Sequence, residues 1–263
     1  MKRFGLIGHP VAGSFSPRLF EAAYGGRYPY DLIEGADFGV SWQRFLDDYA
    51  GINITAPFKE FAFRAVDALS DDARLCGAVN LAVKTPAGIV GYNTDVDGVV
   101  LAVQETGLPV SEAVVVGCGG AGRAAAVAAL RLGCRVTLAN RTPSRAAALA
   151  DELNARLDPI GTPASTEPTG AAGSRPACTW VPVEDLPSLS PDLVIYTVPG
   201  PMDGFPEFPE AIILEANYRT PCLEGRGKAY ISGRRWLLFQ AVAGYEIFTG
   251  ETPDADAMFR IFC

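Results

Sequence analysis

Ala113-Val114-Val115-Val116-Gly117-Cys118-Gly119-Gly120-Ala121-Gly122 is the stretch that decides the fold. Consecutive valines are stiff at χ1 and favour a buried strand, and the glycines after them end it. Residues 123–132 are then rich in alanine and leucine, which predicts a helix stopped by Gly133. Residues 135–139 read as the next strand. Strand, glycine turn, helix and strand make a βαβ unit, the context in which Gly-x-Gly-x-x-Gly is a dinucleotide fingerprint. Without side chains the backbone can approach a pyrophosphate, and the open amides and dipole of the helix start favour the anion. Gly117, Gly119, Gly120, Ala121 and Gly122 are therefore candidate cofactor contacts. A tight strand-to-helix turn is the alternative reading of the same residues.

The end of the second strand separates the cofactors. An NAD site usually offers an acid to the ribose about 20 residues beyond the glycines. Here the residues are Asn140-Arg141-Thr142. A guanidinium suits a 2′-phosphate, whereas an acid would repel it, so NADP is expected over NAD. A solvated loop cation followed by a helix cap is the other reading of Arg141 and Thr142.

Working outward, residues 192–198 and 211–214 read as further strands and Thr142-Pro143 as a helix start, while 158–176, rich in Pro, Gly, Ala, Ser and Thr, read as an exposed loop. Upstream, Phe4-Gly5-Leu6-Ile7-Gly8 is a buried strand. Ser16 and Pro17 read as N-cap and first residue of a helix with Leu19, Phe20, Ala23 and Tyr24 on one face. A strand over 30–34 is followed by a helix capped by Ser41 and stopped at Gly51. Next come a strand over 52–55, a helix opened by Pro57 with Lys59 in its first turn, a hairpin over 81–91, and a helix from near Asp95. Leu237, Leu238, Ala241, Val242, Tyr245 and Phe248 line a C-terminal helix able to complete the first domain's core.

Composition narrows the function. Of 263 residues, 49% are hydrophobic and 20% charged, an ordinary globular balance, and a net charge of −8 argues against nucleic acid as a partner. No apolar run or leader pattern is evident, so a cytoplasmic protein is expected. Six scattered cysteines without a Cys-x-x-Cys pair read as reduced thiols, and one histidine leaves too few ligands for a zinc site.

Several segments in chain order together resemble the shikimate dehydrogenase family, and the likeness covers nearly the whole chain. They are Gly8-His9-Pro10 leading to Ser14-Phe15-Ser16-Pro17, Asn53-Ile54-Thr55-Ala56-Pro57-Phe58-Lys59, Gly77-Ala78-Val79-Asn80, Gly91-Tyr92-Asn93-Thr94-Asp95, the glycine loop, Asn140-Arg141-Thr142, and Gln240-Ala241. The resemblance implies an NADP-dependent oxidoreductase that interconverts 3-dehydroshikimate and shikimate in aromatic amino-acid biosynthesis. It implies that Ser14 and Ser16 hold the substrate carboxylate, that Thr55, Asn80 and Gln240 address the ring oxygens, and that Lys59 with Asp95 performs acid–base chemistry. Each residue has an ordinary alternative: Ser16 and Asp95 are natural helix caps, and Lys59 a solvated lysine. A cation in a first turn runs against the helix dipole, which points to a role beyond helix stability.

The resemblance also implies the architecture: an α/β protein of two α/β domains. A substrate domain with a mostly parallel sheet spans 1–102 and is completed by 235–263, and an NADP-binding Rossmann domain spans 103–234, with the reaction in a cleft between them. A monomer or homodimer is expected, without a membrane partner. The sequence departs from the family at Phe20, where a histidine is common, and over 196–202 and 214–221, the latter having neither the family's tyrosine near 215 nor its proline near 217. A quinate/shikimate dehydrogenase and a non-catalytic sensor of shikimate-like ligands stay open as rivals. A methylene-folate-type dehydrogenase ranks last for want of an apolar pterin slot.

Overall fold

A computed structural model describes residues 1–157 and 178–262 of the chain, so the loop expected over 158–176 lies outside the described residues. The chain divides into two compact units, one formed by Met1–Ala102 with Arg234–Cys263 and the other by Val103–Gly233.

The first unit opens with strand β1 (Phe4–Gly8), helix α1 (Ser16–Tyr24), β2 (Tyr30–Glu34), α2 (Phe38–Asp48), β3 (Gly51–Ile54) and α3 (Lys59–Ala65). It continues through β4 (Ala68–Leu69), α4 (Asp71–Cys76), β5 (Leu81–Thr85), β6 (Gly88–Tyr92) and α5 (Asp95–Gln104). The sheet order is β2-β1-β3-β5-β6-β4. Only β5 runs against the others, since it pairs antiparallel with both β3 and β6 while the remaining pairs are parallel.

The second unit contains β7 (Glu112–Val116), α6 (Gly120–Arg131), β8 (Arg135–Ala139), α7 (Pro143–Leu157), β9 (Cys178–Val181), β10 (Leu193–Tyr196), β11 (Phe208–Glu215) and β12 (Gly227–Ser232). Its strands lie in the order β12-β11-β10-β7-β8-β9, and every pairing is parallel. That is the doubly wound dinucleotide-binding order, whose direction reverses beside β7, where ligands bind at the strands' carboxyl ends.

Helices α8 (Gly233–Thr249) and α9 (Ala255–Phe259) return to the first unit. Leu238, Ala241, Tyr245 and Phe248 of α8 and Met258 of α9 join Phe4, Leu19, Phe20, Tyr24 and Leu81 in one buried cluster. Phe248 stacks on Phe4 with ring centroids 4.9 Å apart, and Gly51 makes room for it, because a Cβ there would stand 2.7 Å from the Phe248 ring. Burying an aromatic side chain of this size contributes about 1.5–3 kcal/mol, so the returning helix is part of the core it was expected to complete.

Several boundaries differ from the sequence reading, each for a local reason. Helix α1 takes Phe15 as its N-cap residue, with no side-chain cap, and Ser16 is already helical. The cap of α2 is Asp37, whose carboxylate accepts from the Val40 amide at 2.8 Å, while Ser41 lies inside the helix and donates back to the Asp37 carbonyl. Gly51 starts β3 instead of ending α2, and α3 begins at Lys59, two residues beyond Pro57. Among the described residues, no helix is long and apolar enough to cross a membrane.

Candidate active site

In the first unit, the ends of β3 and β6 each lead into a helix start. Lys59 is the first residue of α3 and Asp95 the first of α5. The two meet: Lys59 Nζ donates to Asp95 Oδ2 at 2.5 Å, with side chains 20% and 14% exposed. Both are held from behind, since the Lys59 carbonyl accepts from the Val79 amide at 3.0 Å and the Asp95 carbonyl from Trp236 Nε1 at 2.9 Å. Trp236 and Gln240 lie one turn apart on α8, and Gly98 of α5 admits that helix, because a Cβ at position 98 would stand 2.7 Å from the Trp236 carbonyl oxygen.

Asn80, just before β5, organises the neighbouring polar groups. Its Nδ2 donates to Gln240 Oε1 and to Thr94 Oγ1, each at 3.2 Å, and its Oδ1 accepts from the Thr94 amide at 2.8 Å. A buried amide satisfied on both ends is fixed in orientation, since each unmade bond would cost about 1–3 kcal/mol. Thus Gln240, Asn80, Thr94, Asp95 and Lys59 form one continuous polar line. Thr55 follows β3 and lies against the end of β1, where a Cβ on Gly8 would overlap its Cγ2.

Ser14 Oγ donates to Ser16 Oγ at 3.0 Å and accepts from the Ser16 amide at 3.2 Å. The loop that carries them is tied to β2, because the Val11 and Ala12 amides both donate to Glu34 Oε2. All seven residues expected at the substrate end therefore lie in the first unit. Sequence reasoning missed Thr94, although it stands beside Asp95 in a quoted motif. It also missed Tyr30 and Asn53, whose side chains share a 2.8 Å hydrogen bond.

The second unit gives two of the fingerprint glycines, Gly117 and Gly122, a steric reason. Gly117 has φ +102, a conformation closed to most side chains, and a Cβ on it would overlap Thr197 Oγ1. A Cβ on Gly122 would overlap the Gly117 carbonyl. Helix α6 starts with no side-chain cap and no acid in its first turn, which leaves its amides to an outside anion. Beside it lies a cavity of about 670 Å³ lined by Gly117, Cys118, Gly119, Asn140, Arg141, Thr142, Arg145 and Thr197, among others. Asn140 Nδ2 donates to the Thr142 carbonyl at 3.0 Å and shapes the turn that presents Arg141. Arg145, three residues after Thr142 on α7, adds a second cation that the motif reading overlooked. Burial pushes the Cys118 thiol up to about 11, so the loop carries no thiolate to repel a phosphate.

The departures from the family pattern also find their places. Phe20 is buried against Phe4, Tyr24, Tyr30 and Tyr245 and belongs to the core. In the 196–202 segment, Val198, Pro199, Pro201 and Met202 line the same cavity, and Tyr196 donates to the Gly200 carbonyl at 2.8 Å. Glu215, near the position where the family's tyrosine was expected, is fully buried and accepts from the Cys222 and Leu223 amides and from Tyr230 Oη. Tyr218 is half-buried under the Arg219 guanidinium.

An anion cradle at the switch point of a doubly wound sheet, with a carboxylate-paired lysine amid fixed amides and hydroxyls in the other unit, defines a dinucleotide-dependent dehydrogenase. Residues 6–82 match the family model described as the shikimate dehydrogenase substrate binding domain. The chain is 34% identical over 278 residues to the NADP(+) shikimate dehydrogenase of Acidiphilium cryptum, covering 97% of this chain and 94% of that one. The chain belongs to the shikimate dehydrogenase family. Its fold is similar to that of shikimate 5-dehydrogenase from Thermus thermophilus, solved with NADP(H) and shikimate, with a TM-score of 0.80, 29% identity, and 99% and 98% of the two chains covered. It is likewise similar to quinate dehydrogenase from Corynebacterium glutamicum, solved with NAD, with a TM-score of 0.82, 26% identity and the same coverage.

Proposed function

We propose that this protein interconverts 3-dehydroshikimate and shikimate with NADP, the unit Met1–Ala102 with Arg234–Cys263 holding the ring acid and the unit Val103–Gly233 the dinucleotide. The observation that carries the reading is the 2.5 Å pair of Lys59 and Asp95 at the end of a polar line through Thr94, Asn80 and Gln240. A small acid with several hydroxyls needs such a set, because every ring oxygen must replace the water it gives up.

The second unit fits the cofactor, since the Gly117 and Gly122 cradle is one that a Cβ would fill. Gly117, Gly119, Gly120, Ala121 and Gly122 would receive the pyrophosphate, and Asn140, Arg141 and Thr142, with Arg145, the 2′-phosphate end. When bound, NADP supplies or takes the hydride.

Ser14 and Ser16 offer two hydroxyls to the substrate carboxylate, while Thr55, Asn80 and Gln240 address ring oxygens. As the carbonyl oxygen gains negative charge, the Lys59 ammonium stabilises it and delivers a proton, and in the reverse direction Lys59 takes that proton back. Asp95 holds the lysine in place and accepts from a ring hydroxyl. The overall charge of −8 supports a small-molecule enzyme without nucleic-acid partners, and a cytoplasmic monomer or homodimer is the form proposed for it.

The test is the initial rate of NADP⁺ reduction with shikimate and with quinate, on wild type and Lys59→Ala. Shikimate turnover that collapses in the variant is expected. Quinate preferred by the wild type would move the assignment to a quinate dehydrogenase. Binding of shikimate without turnover under either cofactor would replace the enzyme by a sensor.

A further inference from the structure

Beneath the Ser14 and Ser16 hydroxyls lies a polar arrangement that the substrate contacts do not use. Tyr245, on α8 and 1% exposed, donates its hydroxyl to the Ser16 carbonyl at 3.0 Å. The Tyr30 hydroxyl donates to Asn53 Oδ1 at 2.8 Å, and its ring packs edge-on against that of Tyr245 with centroids 6.1 Å apart. Burial holds both phenols well above their ordinary range, so they stay neutral donors. Phe20 packs edge-on against Tyr245 and tilted on Tyr30, with centroids 4.8 Å away in each case, so position 20 contributes only an apolar ring to this spot. Tyr245 is itself braced, its carbonyl accepting from Tyr24 Oη at 2.8 Å and from Thr249 Oγ1 at 3.1 Å.

We propose that Tyr245, packed against Tyr30, is a positioning residue for recognition of the substrate carboxylate: it fixes the Ser16 peptide, and so holds the hydrogen-bonded Ser14 and Ser16 hydroxyls where they meet the acid. This rests on the reading of Ser14 and Ser16 as the acid-binding pair. A charged carboxylate gains more from aimed hydroxyl donors than a neutral ester does. Loss of the brace therefore weakens binding of the acid selectively, and leaves binding of an ester and of the dinucleotide nearly unchanged.

The experiment compares wild type, Tyr245→Phe and Tyr30→Phe by calorimetric titration with shikimate and with its methyl ester, and by the KM and kcat for shikimate and the KM for NADP⁺. Tyr245→Phe is expected to raise the Kd and KM for shikimate about fivefold, the size of one ordinary hydrogen bond. The Kd for the ester, kcat and the KM for NADP⁺ should hold, and Tyr30→Phe should shift the acid-to-ester ratio the same way. Equal weakening toward acid and ester, or an unchanged ratio in the folded variants, overturns the proposal. Failure of the wild type to bind or turn over shikimate would instead sink the functional reading and this inference with it. If Tyr245→Phe does not fold, the ratio in Tyr30→Phe decides.

Discussion

Lys59 Nζ donates to Asp95 Oδ2 at 2.5 Å although the two residues stand 36 positions apart and each opens a different helix. A lysine in a first turn gains nothing from the helix dipole, so the carboxylate across from it keeps it in place. Replacing Lys59 by Ala should lower kcat by about 10²–10⁴-fold, the usual worth of a general acid–base group, with a much smaller change in the KM for NADP⁺. Asp95→Asn should lower kcat and raise the KM for shikimate together, because it frees the ammonium and removes an acceptor. Steady-state kinetics on both variants check this, and a Lys59→Ala enzyme within threefold of wild type would remove Lys59 from the chemistry.

Arg141 and Arg145 both line the cavity beside the start of α6. With no carboxylate at the end of β8, these cations are the groups proposed to set a preference for NADP over NAD. Arg141→Ala should reduce the NADP-to-NAD ratio of affinities at least tenfold, about 1.4 kcal/mol, chiefly through NADP. Titration of both dinucleotides against the wild type and variant tests it, and an unmoved ratio would refute the role.

What could be read from the chain depended on how local its cause was. The βαβ unit was legible because its turn has local causes: Gly117 takes φ +102, and a Cβ on Gly122 would overlap the Gly117 carbonyl five residues before it. The candidate site was legible as motifs, and the return of the C-terminal helix was expected, whereas the bonds that assemble the site were not: Asn80 meets Gln240 across 160 positions, a pairing no local pattern announces. Boundaries slipped where two caps competed, as at α2, where Asp37 outcompetes Ser41 by reaching the Val40 amide. Short β4 and α4 left too little periodicity to detect, and Arg145 was hidden because a lone arginine on a helix carries no pattern.

Glu215 makes a stability prediction. Its carboxylate holds the Cys222 and Leu223 amides of the segment following β11 and the Tyr230 hydroxyl of β12. Glu215→Ala orphans the buried Leu223 amide, at about 1–3 kcal/mol, while the half-buried Cys222 and Tyr230 donors regain water more easily. Glu215→Gln keeps the acceptor oxygen and should cost less. Urea denaturation of the two variants provides the comparison, and equal stabilities would mean that the carboxylate is not what anchors the segment.

The last prediction concerns alkaline pH. Burial pushes the Cys134 thiol from 9.0 up to about 11, Cys178 to about 12, and the Tyr196 phenol from 10.0 to about 12. The folded state thus retains protons that the unfolded chain releases. These groups contribute their full stability below pH 9, where both states are protonated. Stability must then fall as pH rises past the unfolded values of 9.0 and 10.0, and the contribution is lost once the folded groups titrate near 11 to 12. Unfolding free energies measured in urea between pH 8 and 11 should therefore decline with increasing slope above pH 9, and Cys134→Ala should flatten that decline. A stability that stays level to pH 11 would show that the unfolded chain shields these groups as well as the fold does.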